Sequence, residues 1–260
     1  MGVDDEIRDV VERIENGESR ELSIYGDMAR LYHYLFGKEY DYSGQADAAT
    51  GRAPEKVGKI VDGGCGTGGL TKLLAERYPE AEVTGVDLNS PMLDVAGDEN
   101  SRENIEYRQE NLLDLEENAD IYTVFGTVNH FREDEIKTLF QNIFDSLSSG
   151  GVLTFDFKSP ESEKHQDGYV NHWSTETEEF EVENPVMTVY DDGQAYYSFS
   201  FCFREKETQK EFYTGELMEI ELYTREEIRE MLKDAGFSEE EIEFRDEGAQ
   251  RGVFVAKKNR

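Results

Sequence analysis

The run Ile60-Val61-Asp62-Gly63-Gly64-Cys65-Gly66-Thr67-Gly68-Gly69 carries an apolar strand into a glycine-rich turn and on into a helix. Glycines at such a turn permit positive φ and let a ligand approach backbone N–H groups at a helix start. A second acid, Asp87, closes the next apolar run, Val83-Thr84-Gly85-Val86-Asp87-Leu88. At the carboxyl edge of a parallel sheet its carboxylate would stand beside the glycine turn and accept from both hydroxyls of a ribose. The chemistry these residues suggest is nucleoside binding.

Two nucleosides compete for that turn. Gly64-x-Gly66-x-x-Gly69 satisfies the dinucleotide fingerprint, a weak signal when it stands alone. Asp62 decides between them, because a carboxylate pointing at a bound pyrophosphate repels it. A ligand carrying an ammonium and a sulfonium is instead attracted to a nearby acid, and S-adenosylmethionine has that charge pattern. A glycine turn that merely joins strand to helix would leave the two flanking acids unexplained.

The elements that must position these residues follow from periodicity. Short apolar runs at 59–63, 82–87, 105–109, 120–125 and 151–157 alternate with helical stretches at 69–78, 90–97 and 133–148, the signature of parallel βαβ units. Gly150-Gly151 reads as the stop of the last helix. Residues 3–15 predict an amphipathic helix, and Tyr25 to Phe36 an aromatic-rich one. From 170 to 222 the pattern alternates with period two. Tyr197, Phe199, Phe201 and Phe203 share one face, and Asp191-Asp192-Gly193 reads as a hairpin turn. Helix 224–235, stopped by Gly236, and strands near 242–246 and 252–256 close the chain. The expected fold is α/β, a doubly wound, mostly parallel Rossmann-like sheet with an antiparallel β insertion in the C-terminal half. The expected division is an N-terminal helical cap (1–50), a cofactor-binding core (51–160), the insertion on the acceptor side (161–222), and a C-terminal helix and strands completing the core (223–260).

With Asp62, Gly64, Gly66 and Gly68 matching an acidic residue and three glycines, and Asp87 a ribose-binding acid, the sequence resembles the class I S-adenosylmethionine-dependent methyltransferases. Glu106 to Asp114 resembles that family's third-strand motif, with Asn111 where an adenine-contacting Asp is common. Residues 119–125 and 149–156 match its fourth and fifth strands. The resemblance implies a cofactor set of Asp62, Gly64, Cys65, Gly66, Gly68, Asp87, Leu88, Met92, Asn111, Leu112 and Phe125, with Tyr25 and Tyr32 closing over the ligand. It also implies S-adenosyl-L-homocysteine as product. Tyr25 to Tyr42, the loop from Phe125 to Phe131 and the β-rich insertion are similar to small-molecule methyltransferases acting on amino sugars and glycine-type amines. His130 falls where some amino-sugar N-methyltransferases have a histidine near the acceptor amine. It could take the acceptor's proton, its unperturbed pKa lying near 6.5, or it could simply line the pocket. The donor's leaving group is already activated, so the protein's main task is alignment in a dry site, worth roughly 7–11 kcal/mol in favourable systems.

Other residues carry less. Tyr25 and Tyr32 have the helical spacing of ordinary core aromatics, and Trp173 either faces the acceptor or anchors the first inserted strand. His33, His165 and His172 lack metal-ligand spacing, so no metal is expected. Cys65 would need a histidine partner to act as a nucleophile. Cys65 and Cys202 cannot make a disulfide framework.

Composition bounds the rest. In 260 residues, 59 Asp and Glu face 27 Lys and Arg, a formal net charge of −32 spread along the whole chain. Such self-repulsion is tolerable where salt screens it, the Debye length being roughly 3 Å at about 1 M, and it points to a halophile's cytoplasm. Apolar content of 37% with 12% aromatics argues for a packed core despite that charge. No basic stripe favours nucleic acid, no apolar run is long enough for a bilayer, and the acidic N-terminus is unlike a signal peptide. The expectation is a cytoplasmic enzyme, monomer or homodimer, methylating a small polar acceptor, with nitrogen ahead of oxygen. The alternatives are an NAD-linked oxidoreductase, an S-adenosylmethionine-binding protein without turnover, and a macromolecular acceptor.

Overall fold

The computed structural model describes residues 2–191, 193–246 and 252–259. Seven strands form one sheet in the order β10-β11-β5-β4-β1-β2-β3. Four others form a second sheet in the order β6-β7-β8-β9. In the first sheet, β1 (Lys59–Gly63) lies between β2 (Glu82–Asp87) and β4 (Ala119–Val124) and is parallel to both. β3 (Ile105–Gln109) extends it on one side, and β5 (Leu147–Phe157) on the other. The chain thus runs outward from β1 in one direction and then in the other. That reversal opens a crevice at the carboxyl ends of β1 and β4, the place where open α/β sheets bind ligands. β11 (Gly252–Lys257) joins β5 antiparallel, and β10 (Ile242–Asp246) pairs antiparallel with β11. The expected mostly parallel sheet and the separate antiparallel sheet are both present.

The helices cover the first sheet where the periodicity placed them: α4 (Gly69–Arg77), α5 (Ser90–Glu99), α6 (Glu133–Ser146) and α8 (Arg225–Asp234). Ile136, Leu139, Phe140 and Ile143 of α6 and Ile228 and Leu232 of α8 meet Tyr122, Leu153, Phe155 and Phe254 of the sheet in one buried cluster. The opposite face packs Ile60, Ile121 and Val152 against Leu70, Leu74 and the alanines of α3 (Tyr42–Thr50).

Three elements differ from the sequence reading. The helix predicted over 133–148 ends at Ser146, and β5 begins at Leu147 rather than 151. Gly150, at φ +81°, sits where the β4–β5 register shifts, and the Lys258 ammonium reaches the Phe144 and Leu147 carbonyls at 2.6 and 2.8 Å. A glycine-type bulge and a left-handed helix stop both place a glycine at φ > 0, so the glycine pair reads the same for either. The aromatic helix, α2, spans Ala29–Phe36 and not Tyr25–Phe36. Ser23 N–H donates to Asp27 and Gly26 N–H to Ser23 Oγ, a local turn that competes with helix, while the Glu6 carboxylate of α1 (Val3–Glu15) caps Arg30 and Leu31 N–H at 2.9 and 2.7 Å. α3 was not expected at all. Its buried face is Ala46, Ala48 and Ala49, too small to give an amphipathic signal, and Asp41 caps it through Gly44 N–H.

The second sheet comprises β6 (Val170–Glu176), β7 (Phe180–Asp191), β8 (Gln194–Glu205) and β9 (Glu211–Glu221), preceded by a short α7 (Pro160–Lys164). Of the predicted hairpin turn, Gly193 has φ +99° and joins β7 to β8, whereas Asp192 lies outside the described residues. The face holding Phe201 and Phe203, with Phe180 and Val182, is buried against Ile7 and Val10 of α1 and Leu31, Leu35 and Phe36 of α2. Trp173 joins this cluster edge-on to Phe36, ring centroids 5.2 Å apart, and so anchors β6. The N-terminal helices and the inserted sheet share one apolar core.

Candidate active site

The glycine turn is built by its conformation and its neighbours. Gly64, Gly66 and Gly68 have φ of +68°, +54° and +80°, a region that L side chains rarely adopt. A Cβ on Gly64 would also lie 2.1 Å from Thr127 Oγ1, and one on Gly68 2.3 Å from the Tyr107 hydroxyl. Four of the turn's N–H donors are already engaged. Gly64 and Cys65 N–H donate to the Val86 carbonyl at 2.7 and 3.0 Å, Gly66 N–H to Asp87 Oδ2 at 2.9 Å, and Gly68 N–H to the Cys65 carbonyl at 2.9 Å. These four N–H groups are therefore taken up by the protein itself. The sequence reading had them free to face a ligand.

The two acids occupy different environments. Asp62 is 2% exposed, and its oxygens accept from Thr71 Oγ1 at 2.6 Å and Thr123 Oγ1 at 2.7 Å. It forms the floor under the turn rather than a wall facing solvent. Burial raises its carboxyl pKa, the two hydroxyls pull it partly back and the charge of Asp87 adds to the rise, so that the net value is pushed up to about 6. Asp87 stands half-buried at the carboxyl end of β2, fixed by Gly66 N–H on one oxygen and by Asn89 N–H and Nδ2 on the other, at 2.9 and 3.1 Å. Each of its oxygens keeps a lone pair for an incoming hydroxyl. Burial, with Asp62 and Asp87 nearby, drives the Cys65 thiol well above its ordinary range, which removes it as a nucleophile.

Of the remaining predicted residues, Met92 and Leu112 lie against this turn and the others are placed around it as follows. Met92 is buried with Ala29 and Val95, Tyr25 and Tyr32 pack on them, and Met92 Cε stands 3.5 Å from where a Gly66 Cβ would be. Leu112 is buried against Gly63, Leu88 is 59% exposed just beyond Asp87, and Asn111 follows β3, half-buried, with its Oδ1 accepting from Leu113 N–H at 3.1 Å. Phe125 packs with Tyr42 on the α3 side of the sheet. His130 is the exposed end of an otherwise buried 3-10 turn, Val128–His130, edge-on to Tyr25 with ring centroids 6.2 Å apart; Tyr25 in turn reaches Met218 Sδ of β9 at 3.8 Å.

Several positioning residues were not singled out from the sequence. His33 Nδ1 hydrogen-bonds Thr67 Oγ1 at 2.9 Å, tying α2 to the glycine turn, and burial lowers its pKa so that it stays neutral near pH 7. Asn100 Nδ2 donates to the Thr67 carbonyl at 2.7 Å, and the Tyr42 ring covers Gly69. Asn129, 7% exposed, accepts from Lys158 N–H at 2.8 Å and donates to the Lys158 and Glu221 carbonyls at 3.0 and 2.6 Å. One amide thus bolts the loop after β4 to the ends of β5 and β9. Beside it Lys158 pairs with the buried Glu163 at 3.3 Å, and the Tyr197 hydroxyl accepts from the Lys158 ammonium while donating to Glu163 at 2.5 Å. Asp156, 4% exposed, accepts from Gly126 N–H at 2.6 Å. In sequence these are ordinary loop and strand polars, and only partners distant along the chain reveal them. Among the described residues no group of three or more His, Cys, Asp or Glu could hold a metal, and no helix is long and apolar enough to cross a membrane.

A largely parallel sheet with this switch point, a glycine turn with four of its N–H groups bonded within the protein, and carboxylates beneath and beside it fit a cationic nucleoside. Comparison with known proteins agrees. Residues 60–151 match the family described as a methyltransferase domain. A putative methyltransferase from Geobacillus sp. (strain WCH70) is 31% identical over 214 residues, covering 77% of this chain and 84% of that protein. A malonyl-[acyl-carrier protein] O-methyltransferase from Acetivibrio thermocellus is 33% identical over 96 residues, but that match spans only 34% of its length. Among solved structures, a sugar N-methyltransferase from Streptoalloteichus sp. superposes with TM-score 0.72 at 20% identity, over 88% of this chain and 92% of that one. A methyltransferase from Clostridium acetobutylicum gives 0.69 at 21% identity, over 90% and 98%. The chain belongs to the S-adenosylmethionine-dependent methyltransferases. Its cofactor, when bound, supplies an electrophilic methyl group on a sulfonium.

Proposed function

We propose that this protein methylates a small polar acceptor, at nitrogen in preference to oxygen, in the cytoplasm of a salt-adapted cell. The observation that carries the reading is the shared core of α1, α2 and the second sheet, a layer tied to the carboxyl edge of the first sheet by His33 to Thr67 in the glycine turn and by Asn129, after β4, to the Glu221 carbonyl. Tyr25, His130, Met218 and Asn129 link that layer to the loop after β4. Such a wall suits a metabolite better than a polymer lying in an open trough. Asp87 holds the ribose, Leu88, Asn111 and Leu112 meet the base, and Met92 with Tyr25 and Tyr32 closes the remaining side. Asp62, beneath the turn, supplies a negative field that favours a cationic ligand. His130 is the group placed to take the acceptor's proton, and Asn129 fixes its loop. The net charge of −32 supports the salt-adapted setting.

The test is a screen of amine and hydroxyl acceptors with methyl-labelled S-adenosylmethionine in about 2 M KCl, where surface charges are screened. Labelled product from a small amine, and its loss in His130→Ala with S-adenosylhomocysteine affinity intact, is expected. Turnover confined to a protein or tRNA fraction overturns the small-acceptor reading. Unchanged turnover in His130→Ala removes that residue from the chemistry.

A further inference from the structure

A polar cluster at the end of β5 has no part in holding the cofactor. Lys158 follows the carboxyl end of β5, and Asn129 engages both its N–H and its carbonyl, so the root of its side chain is fixed beside the loop that carries His130. Its ammonium donates to the Tyr197 hydroxyl of β8 and stands 3.3 Å from Glu163 Oε1 of α7. The Tyr197 hydroxyl donates in turn to Glu163 Oε2 at 2.5 Å. Tyr197 and Met218 are cross-strand register partners, Met218 meets Tyr25, and Tyr25 stands edge-on to His130. Lys158, Tyr197, Met218, Tyr25, His130 and Asn129 thus form a closed ring of contacts joining the carboxyl end of β5, the second sheet and the loop after β4.

The two charges in this cluster are not equally open. The Glu163 side chain is 1% exposed and that of Lys158 15%. The carboxylate lies behind the other two groups. It divides its oxygens between ammonium and phenol, and Oε1 makes no hydrogen bond among the described residues. Burying an ion pair in this way is no gain in stability over apolar side chains of similar volume. What it secures is position: an ammonium and a phenol held on the β5 side of the crevice, next to the His130 loop. Of the six residues in the ring, Lys158 is the one with a permanent positive charge. Asp156, two residues before it, is turned to Gly126 N–H at 2.6 Å. In a chain with 59 acids against 27 bases, an anionic group reaching this crevice needs such a fixed cation to seat it.

We propose that Lys158 is a specificity residue for the methyl acceptor, that its ammonium binds a carboxylate carried by that acceptor, and that Glu163 and Tyr197 position the ammonium for it. The inference rests on the small-acceptor reading above. The acceptor then lies across the ring, its carboxylate toward β5 and its nucleophilic atom toward His130.

The test offers acceptors in matched carboxylate and amide forms, with methyl-labelled S-adenosylmethionine in about 2 M KCl: glycine and glycinamide, β-alanine and β-alaninamide, 4-aminobutyrate and its amide, lactate and lactamide. Partly buried charges are screened little at that salt. The wild type is expected to prefer the carboxylate form by at least about tenfold in kcat/KM, as a charge-assisted hydrogen bond provides. Glu163→Gln should raise KM for the carboxylate form and not for the amide, a split that a merely structural role would not produce. Lys158→Met alone leaves Glu163 buried without its cation, so Lys158→Met/Glu163→Gln, which removes both charges, is the decisive variant, with S-adenosylhomocysteine affinity as the check that it folds. In it the two forms should be used within about twofold of each other, and Lys158→Arg should keep the preference. Equal use of both forms by the wild type, turnover confined to uncharged or cationic acceptors, or a preference that survives in the double variant overturns the inference and leaves the small-acceptor reading in place. Turnover confined to a protein or tRNA fraction overturns both together.

Discussion

Asn in place of Asp62 should make the ligand-free protein more stable. The carboxyl is buried, with its pKa raised from 3.8 to about 6. In such a case the neutral form is the one the folded state prefers. The stability contributed by the proton is complete below the unfolded value and is lost as pH rises through the folded one. The upward shift of about 2 pKa units is worth about 3 kcal/mol at 1.36 kcal/mol per unit. Asn keeps one acceptor for Thr71 or Thr123 and offers an N–H to the other hydroxyl, so part of that gain should survive. We expect Asp62→Asn to be more stable than wild type by about 1–3 kcal/mol at about pH 8, and the difference to vanish as pH falls toward about 4. Urea unfolding of both proteins in concentrated KCl across that range measures it. Taking the difference between variants cancels the titration of the many surface carboxylates they share. The same variant should bind S-adenosylhomocysteine more weakly, since the floor of the site loses its charge. A variant less stable than wild type at about pH 8, or a difference independent of pH, would refute the argument that Asp62 is ionised at a desolvation cost.

Other outcomes follow from single contacts. Asp87→Ala should lower S-adenosylhomocysteine affinity by at least about tenfold, since each hydrogen bond to a charged acceptor contributes about 1.5–3 kcal/mol; calorimetry reads it. Gly64→Ala should abolish binding through its φ of +68° and the Thr127 clash, and Gly64→Ala/Thr127→Ala should recover only the part due to the clash. Asn129→Leu leaves the Lys158 N–H and two carbonyls without their partner, and should lower stability by about 2–4 kcal/mol in thermal unfolding. The unfolding temperature should rise steeply with KCl, most of the rise falling below about 1 M, where the Debye length shortens to roughly 3 Å; a flat profile would contradict salt adaptation.

Much of the first sheet was legible because its signals are local. Strands buried on both faces read as apolar runs, and helices packed on one side read at their own period, so β1, β2, β4 and α4 to α6 could be placed within a few residues. The errors arose where one local requirement serves two structures. Gly150 is a bulge glycine that reads as a helix stop, Ser23 to Asp27 is a turn that reads as the first turn of α2, and α3 buries only alanines. The candidate site was legible where backbone geometry demands a residue type, as at Gly64, Gly66 and Gly68. It was not legible at Asn129, His33 or Lys158, whose partners lie on other elements.

The sequence by itself determined the parallel core, the glycine turn and the presence of two acids beside it, because these depend on φ, on side-chain period and on residues close along the chain. Tertiary structure alone decided that four of the turn's N–H groups are bonded within the protein, that Asp62 is a buried floor while Asp87 stays open, and that α1 and α2 share a core with the second sheet. Each of those outcomes depends on which surfaces exclude water from one another, and burial is a property of the assembled layers rather than of any segment within them.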